Sequence, residues 1–383
     1  MSAAPPVVVL GRFPPPLDGQ TLATERMAEL VAQARPVVRL STSAPEGDRL
    51  RTTEARWDAG RAAFYLRLRR RIARALAAWP GAPVLWASVS PHPLGHARDA
   101  VATLPMLGDR PLVAVVHRAY FGRMFRNALT RRSAERLVRR CQRVVFLTEG
   151  LAERAAPFVP AARRAVIPNT VGGDVLPSAD EVAARVAGGA GAPARLLFLG
   201  NMMPEKGYLH ALETARRLTA RGVPTELDLV GRWLDDADRA DFDRAVGAAG
   251  LRGRIRAWGG VADRAEVRRR LLDADVLVFP STHPSEALPV AVLEALGAGT
   301  PVVGARWGGL PEVVRDGVEG ALVAPVGDIP GALADGVQAV LADWPRHARA
   351  ARARFDAAFG PDAVRARWLS VLQEAEAAWA DRR

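Results

Sequence analysis

The sequence is poor in two reactive residue types, with one cysteine (Cys141) and one lysine (Lys206) among 383 residues. A single cysteine excludes an internal disulfide and agrees with a reducing compartment, so we expect a cytoplasmic protein. No hydrophobic run reaches the length of a membrane span. The apolar run Val7–Leu10 has no positively charged segment before it and prolines after it, which predicts a first strand and not a signal peptide.

Acidic residues are also fewer than basic ones. The chain has 53 Lys and Arg residues and 41 Asp and Glu residues, which gives a formal net charge of +12. The composition is otherwise that of a globular chain, with 49% hydrophobic residues and a length sufficient for two ordinary domains. Almost all of the positive charge is arginine. The chain has arginine at every other such basic position, and Lys206 therefore stands out as a candidate for a specific functional role.

The first half begins with a pattern of strand, glycine-containing loop and helix, which opens many doubly wound α/β domains. The strand is predicted at Val7–Leu10, the loop contains Gly19, and helical spacing runs from Thr21 to Ala34. Gly19 would let the backbone approach a ligand closely, although a simple turn glycine explains it as well. His117 directly follows the apolar run Leu112–Val116, and the ends of such strands line the ligand cleft of open sheets.

Residues 61–79 predict a basic amphipathic helix that is apolar on one side and rich in arginine beside it. The predicted apolar stripe is Phe64, Leu68, Ile72, Ala75 and Trp79. One interpretation is a solvated helix docked on a sheet; the other is contact with an anionic membrane surface or a lipid-phosphate acceptor. Residues 123–143 are arginine-rich as well. Nucleic acid is disfavoured as a partner, because no stacking aromatic residues interleave with these arginines.

The composition turns rich in Gly, Pro and Ala between Asp174 and Ala194, which predicts a flexible linker between domains. We therefore expect an N-terminal domain over 1–175, a second α/β domain over 192–360, and a final helix within 361–383.

The second domain begins with a predicted strand from Arg195 to Gly200 and a loop from Asn201 to Gly207. Lys206 in such a strand-to-helix loop suits a phosphate-binding ammonium. Gly231 ends the next strand, and glycines around Gly259 permit a flat ring to pack against the backbone. Asp273-Ala274-Asp275 predicts a helix end more strongly than a metal site, and no other cluster has metal-ligand spacing.

The stretch from Phe279 to Gly299 carries the densest pattern in the chain. It follows the apolar run Val276–Phe279 as strand, polar loop and then a helix that begins with Pro289 at its first position. Glu286 lies before the helix and Glu294 inside it. The N–H groups of residues 287–291 predict a phosphate site, with carboxylates on either side that accept hydrogen bonds from hydroxyl groups. An ordinary helix with one exposed and one capping glutamate is the alternative.

Four segments in this order resemble the retaining glycosyltransferases of glycosyltransferase family 4, which have the GT-B fold. They are Gly200–Gly207, Phe279–Glu294 with its two glutamates eight positions apart, Gly299–Val303 and Gly308–Val314. The resemblance implies an α/β fold of two Rossmann-like domains facing across a cleft, with the C-terminal helix packing back on the N-terminal domain. The first half matches more loosely and is expected to serve the acceptor side.

The resemblance also implies roles for individual residues. Lys206 would neutralise the donor diphosphate, Glu286 and His117 would lie near the transferred sugar, and Glu294 would bind the nucleotide ribose. Further donor contacts are expected from the residues Gly19, Asn201, Gly231, Trp258, Gly259, Ala287, Leu288, Pro289 and Val290. The family often has an arginine where this chain has Asn201, and Arg118 and Arg306 are the candidates to replace it.

The resulting expectation is a metal-independent, retaining hexosyltransferase that uses a nucleotide-diphosphate sugar and no other cofactor. The acceptor would be a sugar or a lipid-linked molecule, and residues 61–79 would place the enzyme at the inner face of the cell membrane. Two alternatives remain open at this point: a nucleotide-sugar 2-epimerase of the same fold, and a non-catalytic nucleotide-sugar-binding subunit.

Overall fold

The computed structural model describes residues 5–15, 18–42, 59–234 and 236–382. Its internal contacts divide the chain into two compact units. Unit 1 comprises Met1–Thr170 and Pro361–Arg383, and unit 2 comprises Val171–Gly360. The C-terminal segment thus belongs to the same unit as the start of the chain.

Unit 1 is built on one parallel sheet of six strands. In chain order these are β1 (Val7–Gly11), β2 (Val37–Ser41), β3 (Val84–Trp86), β4 (Leu112–Val116), β5 (Arg143–Phe146) and β6 (Arg164–Val166). Their order across the sheet is β2-β1-β3-β4-β5-β6. Every residue of β1, β3 and β4 is buried, as expected for central parallel strands covered on both faces.

The helices of unit 1 connect these strands. They are α1 (Gly19–Ala32), α2 (Ala59–Ala78), α3 (Pro93–Ala102), α4 (Arg123–Arg126), α5 (Ala128–Arg140), α6 (Glu149–Arg154) and, at the end of the chain, α15 (Pro361–Ala380). Asp18 caps α1 through a capping box with Thr21, which satisfies backbone N–H groups that the first turn leaves without partners. The helix predicted from Thr21 therefore begins two residues earlier, at Gly19.

The buried stripe of α2 differs in part from the predicted one. Phe64, Leu68 and Ile72 are buried as predicted, and the fourth buried position is Leu76. Trp79 lies beyond the end of the helix and is 46% exposed, so its assignment to the apolar stripe was wrong. The stripe simply continues at a spacing of four residues, which is the spacing of one helix face.

The final helix packs on the N-terminal unit, as predicted. The buried residues of α15 include Val364, Trp368, Leu372 and Ala375, and they share a hydrophobic cluster with Met27 of α1. The ion pair between Arg35, which follows α1, and Glu376 of α15 adds a contact at 2.9 Å. The apolar face of α15 therefore covers part of the hydrophobic core of unit 1.

Unit 2 repeats the architecture with a second parallel sheet of six strands. In chain order these are β7 (Ala194–Leu199), β8 (Thr225–Val230), β9 (Ile255–Ala257), β10 (Val276–Phe279), β11 (Val302–Ala305) and β12 (Gly320–Val323). Their order is β12-β11-β10-β7-β8-β9. The chain leaves β7 toward β8 but later returns to the other side of β7 as β10, and ligands of open α/β sheets bind at such reversals.

The helices of unit 2 cover both faces of this sheet. They are α7 (Ala179–Gly188), α8 (Tyr208–Ala220), α9 (Asp236–Ala248), α10 (Arg264–Asp273), α11 (Val290–Gly297), α12 (Leu310–Val313), α13 (Ile329–Ala342) and α14 (Trp344–Ala358). Helix α7 occupies much of the segment whose composition predicts a linker. A capping box of Ser178 and Glu181 begins it, and Val182 and Val186 pack into the core of unit 2.

Candidate active site

The two loops with the strongest sequence patterns lie side by side in unit 2. They follow β7 and β10, which are hydrogen-bonded neighbours in the sheet. Because both strands are parallel, their carboxyl ends open on the same edge. The backbone N–H of Thr282 donates to the carbonyl oxygen of Glu205 at 2.8 Å, which ties the two loops together.

Lys206 and Glu286 meet at the point where these loops touch. The Lys206 Nζ donates to Glu286 Oε2 at 2.5 Å, and Ser281 Oγ donates to the same oxygen at 2.9 Å. The Glu286 side chain is 9% exposed and that of Lys206 is 22% exposed. A cation and a carboxylate, 80 positions apart in the sequence, thus form a half-open ion pair that an incoming ligand can reach.

Gly207 permits this approach. It caps a short 3₁₀ turn, Pro204–Lys206, in the left-handed conformation with φ of +80°, which favours glycine. A Cβ atom at this position would lie 2.8 Å from Cγ of Pro280 and 2.9 Å from its carbonyl oxygen. A larger residue would therefore push the Lys206 turn away from the loop that carries Glu286.

Helix α11 begins beside the ion pair and presents unpaired donors. Within the described residues, the backbone N–H groups of Ala287, Val290 and Ala291 donate to no acceptor. The structure corrects the expectation for Pro289, which is the N-cap and not the first helical residue. Proline has no N–H group, so Pro289 cannot bind a phosphate through its backbone, whereas Ala287 and Val290 can.

Glu294 lies deeper, in the middle of α11, and is 4% exposed. Its Oε1 accepts a hydrogen bond from Nη2 of Arg264, the first residue of α10. The Arg264 guanidinium also lies 3.6 Å from the carboxylate of Asp174. Sequence reasoning did not find Arg264, and the chain's many arginines leave no pattern that separates it from the others.

Asn201, Gly231 and Gly259 come together through the backbone at the ends of β7, β8 and β9. The N–H of Gly231 donates to the carbonyl oxygen of Gly259 at 2.8 Å. A Cβ atom at Gly231 would lie 1.8 Å from the carbonyl oxygen of Gly200 and 3.1 Å from the amide nitrogen of Asn201. Only glycine fits between these segments, so Gly231 allows the backbone at this edge of the site to pack closely.

Trp258 is not grouped with the other candidates. Its indole faces α10, with the Arg270 guanidinium 3.6 Å from the ring centroid. It lines a cavity of about 300 Å³ together with charged residues of β8, β9 and α10, among them Asp228, Arg256 and Arg270. Lys206, Glu286 and Glu294 do not line that cavity.

Asp275 of the Asp273-Ala274-Asp275 segment is fully buried and serves the fold. Its carboxylate accepts from the backbone N–H of Arg195 at 2.7 Å and of Gly191 at 3.0 Å, and it pairs with Arg185. Asp273 ends α10, in line with the predicted helix end. Across the described residues, no group of three or more histidine, cysteine, aspartate or glutamate side chains is placed to hold a metal ion.

His117 and Gly19 belong to unit 1. His117 follows β4, and its Nε2 is buried without a hydrogen-bond partner among the described residues. Burial, followed by the nearby Arg118, lowers the pKa of His117 to about 4, although Asp18 acts in the opposite direction. The imidazole is therefore neutral at pH 7. It lines a small cavity of about 10 Å³ with Met27 and Trp368.

Gly19 is not in a loop as expected, because Asp18 starts α1 directly before it. A Cβ atom at Gly19 would meet nothing within 4 Å, so no contact inside unit 1 requires glycine there. Of the two arginines considered as substitutes at Asn201, Arg306 pairs with Asp316 at 2.8 Å in unit 2. Arg118 lies in unit 1 beside His117.

Two family models match consecutive parts of this chain. The description Glycosyltransferase Family 4 matches residues 19–172, and Glycosyl transferases group 1 matches residues 193–343. The chain belongs to glycosyltransferase family 4. The segment matched by the group 1 model contains Lys206, Glu286, Glu294 and Arg264, so the site described above lies inside the family's shared part.

Several curated relatives agree with this assignment. A 2-deoxystreptamine glucosyltransferase of Streptomyces kanamyceticus is 33% identical over 194 residues, which is 49% of each chain. A 2-deoxystreptamine N-acetyl-D-glucosaminyltransferase of Streptomyces fradiae is 35% identical over 56% of this chain and 51% of its own. A glycogen synthase of Mycobacterium tuberculosis is 36% identical over 44% and 39%. The chain thus spans about half the length, or less, of the curated relatives it matches.

Solved structures match the fold over nearly the whole chain. Anabaena Alr3699/HepE in complex with UDP and glucose has a TM-score of 0.69 at 18% identity and covers 97% of this chain and 100% of its own. A glycosyltransferase from Rickettsia africae has a TM-score of 0.70 at 15% identity, with 97% and 98% covered. The two Rossmann-like units of this family 4 chain therefore form a GT-B fold, as predicted.

Proposed function

We propose that this chain is a retaining glycosyltransferase that moves a sugar from a nucleotide-diphosphate sugar to a hydroxyl group of an acceptor, without a metal ion. The observation that carries the proposal is the meeting of Lys206, Glu286 and the unpaired N–H groups at the start of α11. A cation and several amides that converge on one edge of a sheet suit a diphosphate. The Anabaena protein is known in complex with UDP and glucose and with UDP-glucose, which supports a nucleotide-sugar donor here.

Lys206 would stabilise the leaving diphosphate. Without a ligand, its ammonium is neutralised by Glu286 at 2.5 Å, and an arriving diphosphate offers a stronger and doubly charged partner. As the anomeric C–O bond breaks, negative charge grows on the diphosphate where Lys206 and the Ala287, Val290 and Ala291 amides can meet it. The loss of one such preorganised donor costs about 10²–10³ in rate in well-studied enzymes.

Glu286 would hold the transferred sugar by accepting hydrogen bonds from its hydroxyl groups. Its Oε2 already accepts hydrogen bonds from Lys206 and Ser281, and both bonds withdraw electron density from that oxygen. A covalent attack by Glu286 is therefore less favourable than attack by the acceptor hydroxyl on the face from which the diphosphate leaves. The departing phosphate would take the acceptor's proton, and this path retains the anomeric configuration.

Glu294 and His117 would complete donor binding. Glu294 is buried and forms an ion pair with Arg264, and the oxygens of an ionised carboxylate can accept both hydrogen bonds of a ribose diol. His117 is a neutral imidazole at pH 7 because burial holds its pKa near 4. A neutral imidazole can exchange hydrogen bonds with sugar hydroxyls without adding charge beside the bond that breaks.

The first experiment is a thermal-shift screen of UDP-, GDP-, ADP- and TDP-sugars. A donor present at a hundred times its Kd stabilises the native state by about 2.7 kcal/mol, which raises the melting temperature of a domain of about 150–250 residues by roughly 5–11 °C. The preferred donor should raise the melting temperature of the parent protein. Lys206→Ala should abolish that shift, and Lys206→Arg should restore part of it, because the charge returns without the fit.

The second experiment follows release of the nucleoside diphosphate from the preferred donor with and without an acceptor. Acceptor-dependent release that falls at least a hundredfold in Glu286→Gln supports the transferase. Conversion of the donor to an isomer without any acceptor would identify an epimerase instead. Binding without turnover across a broad panel of acceptors would identify a binding subunit. Arg244→Gln, at an exposed arginine on α9, is the control for the loss of a positive charge in Lys206→Ala.

A further inference from the structure

The positive charge of the chain is concentrated in one segment. Residues 59–140 contain 16 arginines and three acidic residues, a formal balance of +13 that exceeds the +12 of the whole protein. The remaining residues are therefore close to neutral. Such a concentration indicates a surface for an anionic partner and not a general solubility device.

The helices of this segment lie on one face of the unit 1 sheet. The connections from β2 to β3, β3 to β4 and β4 to β5 all step across the sheet in the same direction, and right-handed crossovers then place α2, α3 and α5 on the same face. The 3₁₀ turn Leu104–Leu107 packs against both α2 and α3, and α3 packs against α4 and α5. We call the four helices α2, α3, α4 and α5 the basic layer.

The outer side of the basic layer carries exposed arginines. They are Arg67, Arg70, Arg71, Arg74, Arg123, Arg126, Arg131, Arg132, Arg136 and Arg139. Among the described residues, the four arginines of this set on α2 form no ion pair with a carboxylate, and Glu135 is the acidic neighbour of Arg131 and Arg139 at 3.8 and 3.9 Å. Within the described part of the chain, the charge of this surface is therefore mostly uncompensated.

Apolar side chains protrude among these arginines. Of the eight large hydrophobic residues that are exposed in the described part of the chain, four lie on or directly beside the basic layer. They are Leu66 at 58%, Trp79 at 46%, Val101 at 69% and Leu129 at 93% exposure. A single exposed leucine needs no explanation, but apolar residues that project between exposed arginines are typical of an interfacial membrane-binding surface.

We propose that the outer side of the basic layer docks on an anionic lipid bilayer, with the arginines at the head groups and Leu129 and its apolar neighbours in the upper acyl region. Each arginine near an anionic surface strengthens binding roughly fivefold. A nucleic acid would use the same charges, but it would bury the protruding aliphatic side chains against phosphates and gain nothing from them. The docking surface is carried by unit 1 alone and stands whether or not the proposed transfer reaction is correct.

Flotation with phosphatidylcholine vesicles, with and without phosphatidylglycerol, tests the charge contribution. The parent protein should float only with the anionic vesicles, and high salt should release it. One variant replaces four exposed arginines of α2 by glutamine: Arg67, Arg70, Arg71 and Arg74. Its partition coefficient should fall at least a hundredfold, given roughly fivefold for each arginine. The matched control removes four exposed arginines of unit 2 and should keep parental binding: Arg216, Arg239, Arg244 and Arg252.

A second pair of variants tests the apolar contribution. Leu129→Glu places an acidic residue at the second position of α5, where it favours the helix but repels an anionic bilayer. Leu209→Glu makes the same change at the second position of α8 in unit 2, where the leucine is 46% exposed. We expect at least a tenfold loss of vesicle binding for Leu129→Glu and parental binding for Leu209→Glu, with circular dichroism unchanged in both.

Several results would overturn the proposal. They are equal flotation with neutral and anionic vesicles, parental binding by the α2 variant, and equal losses in both glutamate variants. Tighter binding to duplex DNA or RNA than to anionic vesicles at the same salt, lost with the same α2 arginines, would make the basic layer a nucleic-acid surface instead.

Discussion

Protonation of His117 offers a quantitative test of the site in unit 1. Burial and the neighbouring Arg118 lower its pKa from 6.5 to about 4, and its Nε2 has no hydrogen-bond partner among the described residues. The unfolded chain therefore binds one more proton than the folded chain between pH 6.5 and pH 4. The shift of about 2.5 pH units corresponds to about 3 kcal/mol at 1.36 kcal/mol per unit.

The sign of this contribution follows from proton linkage. Above pH 6.5 His117 is neutral in both states, and its contribution to the free energy of unfolding is complete. As the pH falls from 6.5 toward 4, the unfolded state gains the proton first, and up to about 3 kcal/mol of stability is lost. His117→Gln removes the titrating group while keeping a polar side chain, so the stability of this variant should depend less steeply on pH in that range.

Urea unfolding at half-unit pH steps from 7 to 4 measures the difference between the two proteins, and the pH dependence common to both cancels. His210→Gln is the control, because burial also lowers the pKa of His210 but no charged neighbour adds to it; its effect on the slope should be smaller. Parallel stability curves for His117→Gln and the parent would refute the reasoning. So would an NMR titration in which the His117 ring protonates near pH 6.5.

Two further predictions concern unit 2. Asp275→Ala removes a fully buried carboxylate that pairs with Arg185 and accepts two backbone N–H groups, and chemical denaturation should show a loss of about 3–5 kcal/mol; Asp273→Ala, at an exposed pair, should cost less than about 1 kcal/mol, and similar losses would contradict the assignment. Gly231→Ala inserts a Cβ atom 1.8 Å from the carbonyl oxygen of Gly200 and should lower the free energy of unfolding by about 3 kcal/mol. Calorimetry should also show weaker donor binding by this variant. Gly188→Ala, with nothing within 4 Å of the added Cβ, should be neutral, and a neutral Gly231→Ala would remove the packing argument.

Much of the fold was predictable because its signals are local. The strand Val276–Phe279 and the helix Pro361–Ala380 have the bounds that apolar runs and helical spacing predict. The linker prediction missed α7, because Gly and Ala content hid the capping box of Ser178 and Glu181. That box is itself a local pattern with a serine three positions before a glutamate, so a search for helix starts would have found the helix.

In the candidate site, the two glutamates could be recognised from the sequence, but their pairing with cations could not. The carboxylates of Glu286 and Glu294 were found from their spacing, and both are buried, with 9% and 4% exposure. A buried carboxylate that stays ionised requires a cation, so the need for two cationic partners becomes visible only once the structure shows the burial. The fold supplies Lys206 from a loop 80 positions away and Arg264 from a helix start 30 positions away.

Rarity explains why one of these partners was recognisable and the other was not. Lys206 is the single lysine in a chain that otherwise uses arginine, and its placement after a strand makes it a candidate site residue from the sequence alone. Arg264 is one of 52 arginines, and its selection depends on the crossover from β9 through α10 to β10, which sets the start of α10 beside the middle of α11. When a chain strongly favours one residue type, site residues of that type cannot be recognised from the sequence. A site residue of a different type, such as Lys206 here, can be recognised.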